Sequence, residues 1–170
     1  GVLVVNSSLG VNRCIRRIMT ERFIAGGIAT PESRIIGRNG EMVKDIHYPC
    51  WLKRGDGCAQ QKEDTCYVQN EQEAEALLKE FWLRGITSVV VNEHLKGDLI
   101  KFYGVSGTDF FYWFYPSKCG HRSKFGLEVI NGEAQGIAFD AEALKAEADK
   151  AADMLNVPVY GGDCVVSEDG

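Results

Sequence analysis

The sequence predicts an α+β fold made of two lobes with mostly antiparallel sheets. The chain has 170 residues, of which 45% are hydrophobic and 25% are charged, so it can form a buried core. Segments that read as strands and helices follow in the order β, α, β-β-β, α, β, β-β, α, β. This order lacks the regular alternation of a doubly wound parallel sheet, which favours two α+β lobes joined near residues 91–98.

The elements of the first half are read from apolar periodicity and turn residues. Residues 2–5 read as a short buried strand. Residues 12–25 read as a helix with apolar residues on one face, and the glycine pair after it ends the helix. A short strand follows at residues 35–36. Residues 48–53 and 65–68 then read as two strands that flank a polar loop.

The second half begins with a helix whose start is marked by its cap. Asn70 precedes this helix, and Glu73 three residues later completes a capping-box pattern. Asp140 marks the start of the last helix in the same way. Strands are predicted at residues 88–95, 98–105, 109–115 and 157–166. Aromatic residues occupy both faces of "DFFYWFY", so we expect this strand to be covered on both sides or to lie at an interface.

Charge and composition narrow the class of protein. The net charge of −5 and the pI of about 5.3 argue against broad binding to nucleic acid or to anionic membranes. No apolar run approaches the length of a membrane span, and no signal peptide is recognisable, so we expect a cytoplasmic protein. The six cysteines form no C-x-x-C pair, which favours free thiols over disulfides or a metal site.

Lys53 stands out because it closes a strand just before a glycine-bearing loop, "LKRGDG". A lysine in this position offers a fixed charge to phosphate oxygens, and the loop glycines let backbone N–H groups approach the same phosphates. The alternative is a hairpin whose charged tip faces water. The loop does not have the G-x-x-x-x-G-K-[ST] pattern of a P-loop.

Lys101 and Asp163 are two further candidates, and each has a plain alternative. Lys101 lies inside the apolar strand "LIKFYGV", where a lysine is costly to bury unless it faces a partner or a cleft. The alternative is an edge strand whose lysine faces water. Asp163 follows two glycines at the start of a strand, where a carboxylate can reach Mg²⁺ or can serve as a turn residue.

Together these motifs give an order that resembles the ATP-grasp superfamily. The matching stretches are "NRCIRRIMTERFIAGGIATPES", "YPCWLKRGDG", "VVVNEHLKGDLIKFYGV" and "VYGGDCVVSEDG", which are spread over most of the chain. The resemblance implies two α+β lobes with mostly antiparallel sheets that enclose a nucleotide cleft. It also implies residues 1–30 as the end of a preceding α/β domain with a linking helix, 31–95 as the smaller lobe, and 96–170 as the larger lobe without its final strand.

The resemblance also implies a role for individual residues. Lys53 would contact the ATP phosphates under a lid formed by residues 54–63, and Asp98 would contact the ribose. Residues 93–95 would form a hinge that reads the adenine edge. Asp163 would bind Mg²⁺. The ATP-binding set is Arg17, Lys53, Gln61, Glu93, His94, Leu95, Asp98 and Lys101, and the catalytic set is Lys101 and Arg122.

The activity implied by this resemblance is that of an ATP- and Mg²⁺-dependent ligase. A small carboxylate would be activated as an acyl phosphate, which an amine or a thiol then displaces. The alternatives are a kinase that phosphorylates a small hydroxyl substrate and a non-catalytic nucleotide-binding module. A homodimer is also left open. The family continues after the "EDG" turn with an acidic-x-Asn pair that completes the metal site, so we expect the given chain to be incomplete at both ends.

Overall fold

A computed structural model of the chain describes residues 4–38, 46–120 and 125–168. The chain forms two compact units. One unit is Val11–His94, and the other combines the segment up to Gly10 with Leu95 onward. The division into three parts expected from the sequence stays a prediction. None of the described helices is long and apolar enough to cross a membrane.

Two short helices stand where the sequence predicts one. Helix α1 is Ser8–Arg13 and helix α2 is Arg16–Gly26. The helix predicted at residues 12–25 is confirmed over residues 16–25 as α2, but its predicted start is wrong, because Ile15 leaves the helical region with φ −55° and ψ 124°. The predicted end of the helix is confirmed, since Gly27 adopts the left-handed conformation that glycine accommodates, with φ 62°.

The strand predicted at residues 2–5 is also wrong where the structure describes it. Val4 and Val5 lie outside any strand and are 71% and 51% exposed. Both are apolar, but no strand of the described residues pairs with them, so apolar composition alone does not produce a strand here. The first three residues lie outside the described part of the chain.

The first unit contains a four-stranded antiparallel sheet covered on one face by a helix. Its strands are β1 Ser33–Gly37, β2 Cys50–Arg54, β3 Thr65–Val68 and β4 Ser88–Glu93, in the spatial order β1-β4-β2-β3. The predicted hairpin of β2 and β3 is confirmed, with Lys53 opposite Thr65. Between them lies a single 3₁₀ turn, Lys62–Asp64. Two of the four strands, β4 and β2, are inner strands.

Helix α3, Glu71–Leu83, supplies the other side of the core in this unit. Its predicted cap is confirmed, because the Glu73 backbone N–H donates to the Asn70 side chain at 3.0 Å. Leu52 on β2 is fully buried in one hydrophobic cluster with Leu78 and Phe81 of α3. Side chains alternate between the two faces of a strand, so the neighbours of Leu52 on β2 project from the face that α3 leaves uncovered.

The second unit contains a three-stranded antiparallel sheet, in the order β6-β5-β7. The strands are β5 Asp98–Val105, β6 Phe111–Phe114 and β7 Val159–Val166. Helix α4, Ala141–Leu155, begins at Asp140, whose side chain accepts hydrogen bonds from the N–H groups of Glu142 and Ala143, as predicted. Two 3₁₀ turns, Pro116–Lys118 and Leu127–Asn131, lie between β6 and α4.

Helix α4 covers one face of this second sheet. The Tyr160 hydroxyl of β7 donates to Asp149 of α4 at 2.6 Å, which places Tyr160 on the covered face. Ile100 of β5 is paired with Cys164 and is fully buried on that face. Because side chains alternate along β5, Lys101 projects from the opposite face.

Candidate functional site

Lys53 projects from an inner strand on the sheet face opposite helix α3. Its direct neighbours across the sheet are Thr65 on β3 and Val90 on β4. Trp51 and Tyr67 lie on the same face, because they form the next cross-strand pair of equal parity. The Lys53 ammonium lies 5.9 Å from the centroid of the Trp51 ring. This face therefore combines a half-buried lysine with aromatic rings.

His94 completes an aromatic cluster at the end of this face. The Tyr67 and His94 rings meet edge-on with centroids 5.0 Å apart, and Trp51 and Tyr67 lie 5.2 Å apart. The Trp51 indole N–H donates to Nδ1 of His94 at 3.2 Å. Because Nδ1 accepts this hydrogen bond, the imidazole proton in this arrangement is on Nε2. The ring of His94 is thus held in place by the sheet.

Glu93 forms two hydrogen bonds with the segment before β1. Its backbone N–H donates to the Glu32 carbonyl at 3.0 Å, and its side chain accepts from the Glu32 N–H at 2.7 Å. The His94 N–H donates to the carbonyl of Pro49 at 3.3 Å. In the second unit, the Leu95 carbonyl accepts a long hydrogen bond of 3.5 Å from the side chain of Asn131. The amide donors of Glu93 and His94 are therefore already used.

The loop after Lys53 is held by two buried or partly buried carboxylates. Asp56 accepts from the Arg54 side chain at 2.7 Å and from the Thr87 backbone N–H at 2.8 Å. Asp64, 1% exposed, accepts from Arg84 at 2.7 Å. Burial raises the pKa of both carboxyls, but the hydrogen bonds and arginine charges outweigh it and hold each pKa below its usual value.

Gln61 lies within this loop and has a local structural contact. Its side chain takes part in a capping box with Asp64 at the start of the 3₁₀ turn, and its backbone N–H lies 3.4 Å from the Asp64 carboxylate. The side chain is exposed. The contact between Asp64 and Arg84 was not predicted, because no local sequence pattern joins residues that lie 20 positions apart.

Arg17 lies in the first turn of α2, which contacts the same loop. Its backbone N–H donates to the carbonyl of Gly55 at 2.9 Å, and the Gly55 N–H donates to Ser88 at 2.8 Å. The Arg17 guanidinium forms an i,i+4 ion pair with Glu21 at 2.8 Å, and both side chains are more than 40% exposed. Exposed pairs of this kind are weak, so the arginine can exchange this partner for another anion.

Lys101 and Asp163 are brought together by the pairing of β5 with β7. They are direct cross-strand neighbours, and the Lys101 ammonium donates to Oδ1 of Asp163 at 2.6 Å. The lysine side chain is 17% exposed and the carboxylate is 57% exposed. The two residues were predicted for different roles, but the structure places them in one ion pair on the sheet face opposite α4.

Asp98, for which a ribose contact is predicted, is a buried carboxylate with structural partners of its own. Asp98 is 2% exposed, and its two oxygens accept three backbone N–H groups, from Gln135, Gly136 and Ile137, at 2.7, 2.7 and 2.8 Å. Burial raises its pKa, but these three amides and the charge of Lys118 lower it more. The carboxylate is therefore an anchor for the 135–137 segment. Its burial leaves it little surface for a ribose, and the ribose contact stays a prediction.

One predicted catalytic residue cannot be placed. Arg122 lies outside the residues that the structure describes. Within the described residues, no group of three or more histidine, cysteine, aspartate or glutamate side chains could hold a metal ion by itself. Among the described strand residues on the sheet face that carries Lys101, Asp163 is the only one with a carboxylate.

Several solved structures have a fold similar to that of this chain. The D-alanine–D-alanine ligase of Bacillus anthracis complexed with ATP matches 96% of this chain, with a TM-score of 0.67 and 17% identity. The RimK domain ATP-grasp protein of Sphaerobacter thermophilus and the ATP-grasp ligase PsnB each match 100% of the chain. Their TM-scores are 0.65 and 0.62, and their identities are 19% and 15%.

These similarities concern the fold. The chain spans 54%, 60% and 53% of the three matched structures, so it is about half their length. No protein-family model matches the sequence, and no curated protein matches it. Two α+β units with antiparallel sheets, matched over nearly the whole chain, identify the architecture that the sequence motifs suggested. The chain has the ATP-grasp fold.

Proposed function

We propose that this chain is the ATP-binding part of an ATP- and Mg²⁺-dependent ligase that joins a small carboxylate to an amine or a thiol. One observation carries the proposal. Each sheet has a lysine on an inner strand, Lys53 on β2 and Lys101 on β5, and each lysine projects from the face opposite its covering helix. An ATP-dependent transfer needs such fixed positive charges, because it brings anions together.

Lys53 is the residue we assign to the ATP phosphates. It is a point charge fixed by its strand, and the glycine-bearing loop that follows it begins within one residue. Arg17 supports the same site because its backbone is joined to Gly55 of that loop. We assign the adenine to residues 93–95. With the amides of Glu93 and His94 already used, the N–H of Leu95 is the hinge donor we assign to it.

Asp163 fits a magnesium ion that is shared with ATP. Mg²⁺ is usually held by one or two carboxylates together with water and substrate phosphates, so a single exposed carboxylate is a sufficient protein contribution. Lys101 uses one donor on Oδ1 of this carboxylate and keeps two for other anions. The bound metal would neutralise phosphate charge. Lys101 would orient the carboxylate substrate next to it.

The proposed reaction needs no nucleophile from the protein. A carboxylate oxygen of the substrate attacks the γ-phosphorus of ATP, the bond to the bridging oxygen breaks, and ADP leaves. The nitrogen or sulfur of the second substrate then attacks the acyl carbon of the acyl phosphate. Inorganic phosphate leaves with the bonding electron pair, the nucleophile loses its proton, and an amide or a thioester remains. The side chains named here position and neutralise anions.

Calorimetric titration of ATP tests the assignment of Lys53. We expect Lys53→Ala to weaken ATP binding more than tenfold, since a contact to a charged group is worth about 1.5–3 kcal/mol. The matched control is Lys79→Ala, which removes an exposed lysine of α3 and should change the affinity less than twofold. If the Lys53 variant and the unchanged protein bind ATP with equal affinity, the assignment of Lys53 to the ATP phosphates is refuted.

Two further measurements separate the alternatives. Asp163→Asn should reduce the Mg²⁺ dependence of ATP binding while leaving Mg²⁺-free nucleotide binding largely intact, and Asp109→Asn, an exposed aspartate of the same unit, should not. The products distinguish the reaction class. ADP with an amide or thioester supports a ligase, a phosphorylated hydroxyl supports a kinase, and ATP binding without turnover supports a non-catalytic module.

A further inference from the structure

The sheet face that carries Lys101 and Asp163 continues into an exposed aromatic surface. Strand alternation places Tyr103 of β5 and Tyr112 and Phe114 of β6 on this same face. Tyr103 is 47% exposed and Tyr112 is 57% exposed. We call these three rings the aromatic platform. The strand expected to be covered on both sides or to lie at an interface therefore has one exposed face in this chain.

Two of the three ring planes of the platform are nearly parallel. The planes of Tyr103 and Phe114 differ by 17°, with centroids 6.5 Å apart, and those of Tyr112 and Phe114 differ by 31°, with centroids 5.8 Å apart. A planar ligand ring can lie parallel to the nearly parallel pair and stack on an exposed tyrosine ring, which a branched aliphatic group cannot. Stacked aromatic pairs gain free energy beyond the area that they bury, so aligned rings favour an aromatic ligand.

Gly161 fixes the position of the Tyr103 ring. The two residues are cross-strand partners, and a Cβ atom at position 161 would lie 2.8 Å from Cδ1 of Tyr103. The ring therefore rests on the bare backbone of β7, two residues from Asp163. A side chain at position 161 would displace the Tyr103 ring, so glycine at this position is needed for the platform as the structure has it.

Distance and charge indicate what a ligand on the platform would carry. Tyr103 lies two residues from Lys101 along β5, so their Cα atoms are about 7 Å apart at the strand rise of about 3.4 Å per residue. Phe114 is the direct cross-strand partner of Lys101, so the lysine borders the platform, and a carboxylate joined to a ring by a short chain can reach its ammonium. Lys101 donates one hydrogen bond to Asp163 and has two further donors for such a carboxylate.

We propose that the aromatic platform binds the ring of an aromatic carboxylate, with the carboxylate group at Lys101. The proposal rests on the proposed function, because that function makes Lys101 the residue beside which a carboxylate reacts. A sugar ring fits this face less well. Among the described residues of β5, β6 and β7 on this face, the only polar side chains are the two tyrosines, Lys101 and Asp163.

Binding of 3-phenylpropanoate to the nucleotide-free chain tests the proposal. The matched probes are hexanoate, which has the same charge without the ring, and glucuronate, which has a sugar ring. We expect 3-phenylpropanoate to bind at least fivefold more tightly than either, measured by NMR titration. Equal affinity for hexanoate, or tighter binding of glucuronate, would overturn the aromatic assignment.

Variants of the platform locate the binding site. Tyr103→Leu and Tyr112→Leu should each weaken 3-phenylpropanoate binding about five- to tenfold, the equivalent of one lost aromatic pair. Tyr103→Phe and Tyr112→Phe keep the ring and should retain the affinity within twofold, as should the remote variant Leu83→Ala. Tyr112 lies on an edge strand and is exposed, so its leucine variant folds even if the Tyr103 variant does not. Undiminished binding to folded Tyr112→Leu overturns the proposal.

ATP titration of the same protein separates this proposal from the one on which it rests. If ATP binds but 3-phenylpropanoate does not, the aromatic platform is refuted and the ligase assignment stands. If 3-phenylpropanoate binds through the platform and ATP does not bind, the ligase assignment is refuted. The aromatic carboxylate site then stands without it.

Discussion

Asp98→Asn tests the role of Asp98 as an anchor for residues 135–137. In the folded protein, Oδ1 accepts the amide of Gln135, and Oδ2 accepts those of Gly136 and Ile137. An asparagine in the best orientation keeps its oxygen toward two of these amides and turns its NH₂ group toward the third. Two charge-assisted hydrogen bonds then become neutral, and one backbone N–H loses its acceptor.

The magnitude follows from these three changes. A hydrogen bond to a charged group is worth about 1.5–3 kcal/mol and a neutral one about 0.5–1.5 kcal/mol, so the two weakened bonds cost about 2 kcal/mol together. An unsatisfied buried N–H adds about 1–3 kcal/mol. We therefore expect Asp98→Asn to lower the free energy of unfolding by about 3–5 kcal/mol, a large part of the 5–15 kcal/mol typical of a folded domain.

Urea denaturation followed by circular dichroism measures this loss, and hydrogen exchange at residues 135–137 locates it. The control is Asp109→Asn, an exposed aspartate that should change stability by less than about 0.5 kcal/mol. A loss below about 1 kcal/mol, with unchanged protection of the three amides, would refute the anchor role. A loss of ATP affinity without a loss of stability would favour the ribose contact instead.

The same carboxylate predicts a pH dependence with a definite sign. Its pKa is lowered in the folded state, so its contribution to stability is fully present above the unfolded value of about 3.9 and is lost as the pH falls through the folded pKa. The stability difference between the unchanged protein and Asp98→Asn should therefore be constant near neutral pH. It should shrink below about pH 3.9, because the unchanged carboxyl then becomes protonated as well.

Two further predictions concern the first unit. Gly55→Ala should lower the free energy of unfolding by about 1–3 kcal/mol, because the new Cβ would lie 2.7 Å from Oγ of Ser88 and 2.9 Å from the Ser88 carbonyl oxygen. The control is Gly37→Ala, whose Cβ would have nothing within 4 Å and which should be nearly neutral in the same urea experiment. Cys50 should resist alkylation at pH 8 while exposed Cys58 reacts. Burial raises the pKa of the Cys50 thiol to about 11, so about one molecule in a thousand carries the thiolate at pH 8. Mass spectrometry of the labelled peptides measures this, and equal labelling of both cysteines would contradict it.

Local features of the fold could be predicted because their signals are local. Residues a few positions apart determine the helix caps at Asn70 and Asp140. The same is true of the two hairpin strands on either side of the loop after Lys53. The strand prediction was wrong at Val4 and Val5, because an apolar run does not say whether a partner strand exists. The break at Ile15 was missed because isoleucine is compatible with the helical periodicity around it.

The candidate site depended instead on register, which the sequence alone does not specify. Lys101 and Asp163 were each recognised as candidates, but 62 residues separate them, and only the pairing of β5 with β7 makes them an ion pair. For Asp98, the contacts in the structure are different from the contact that was predicted. A carboxylate near the predicted hinge suggested a ribose contact, yet its partners lie about 40 residues further along the chain and occupy both oxygens.

The pairing of Lys101 with Asp163 means that the two proposed roles are not independent. A Mg²⁺ ion held by Asp163, as proposed, would compete with the Lys101 ammonium for the charge of the same carboxylate. Binding of the metal would therefore loosen the lysine from Oδ1 and free its third donor for the carboxylate substrate. Metal binding and substrate binding would then favour each other through one ion pair, and this coupling needs no movement of the backbone.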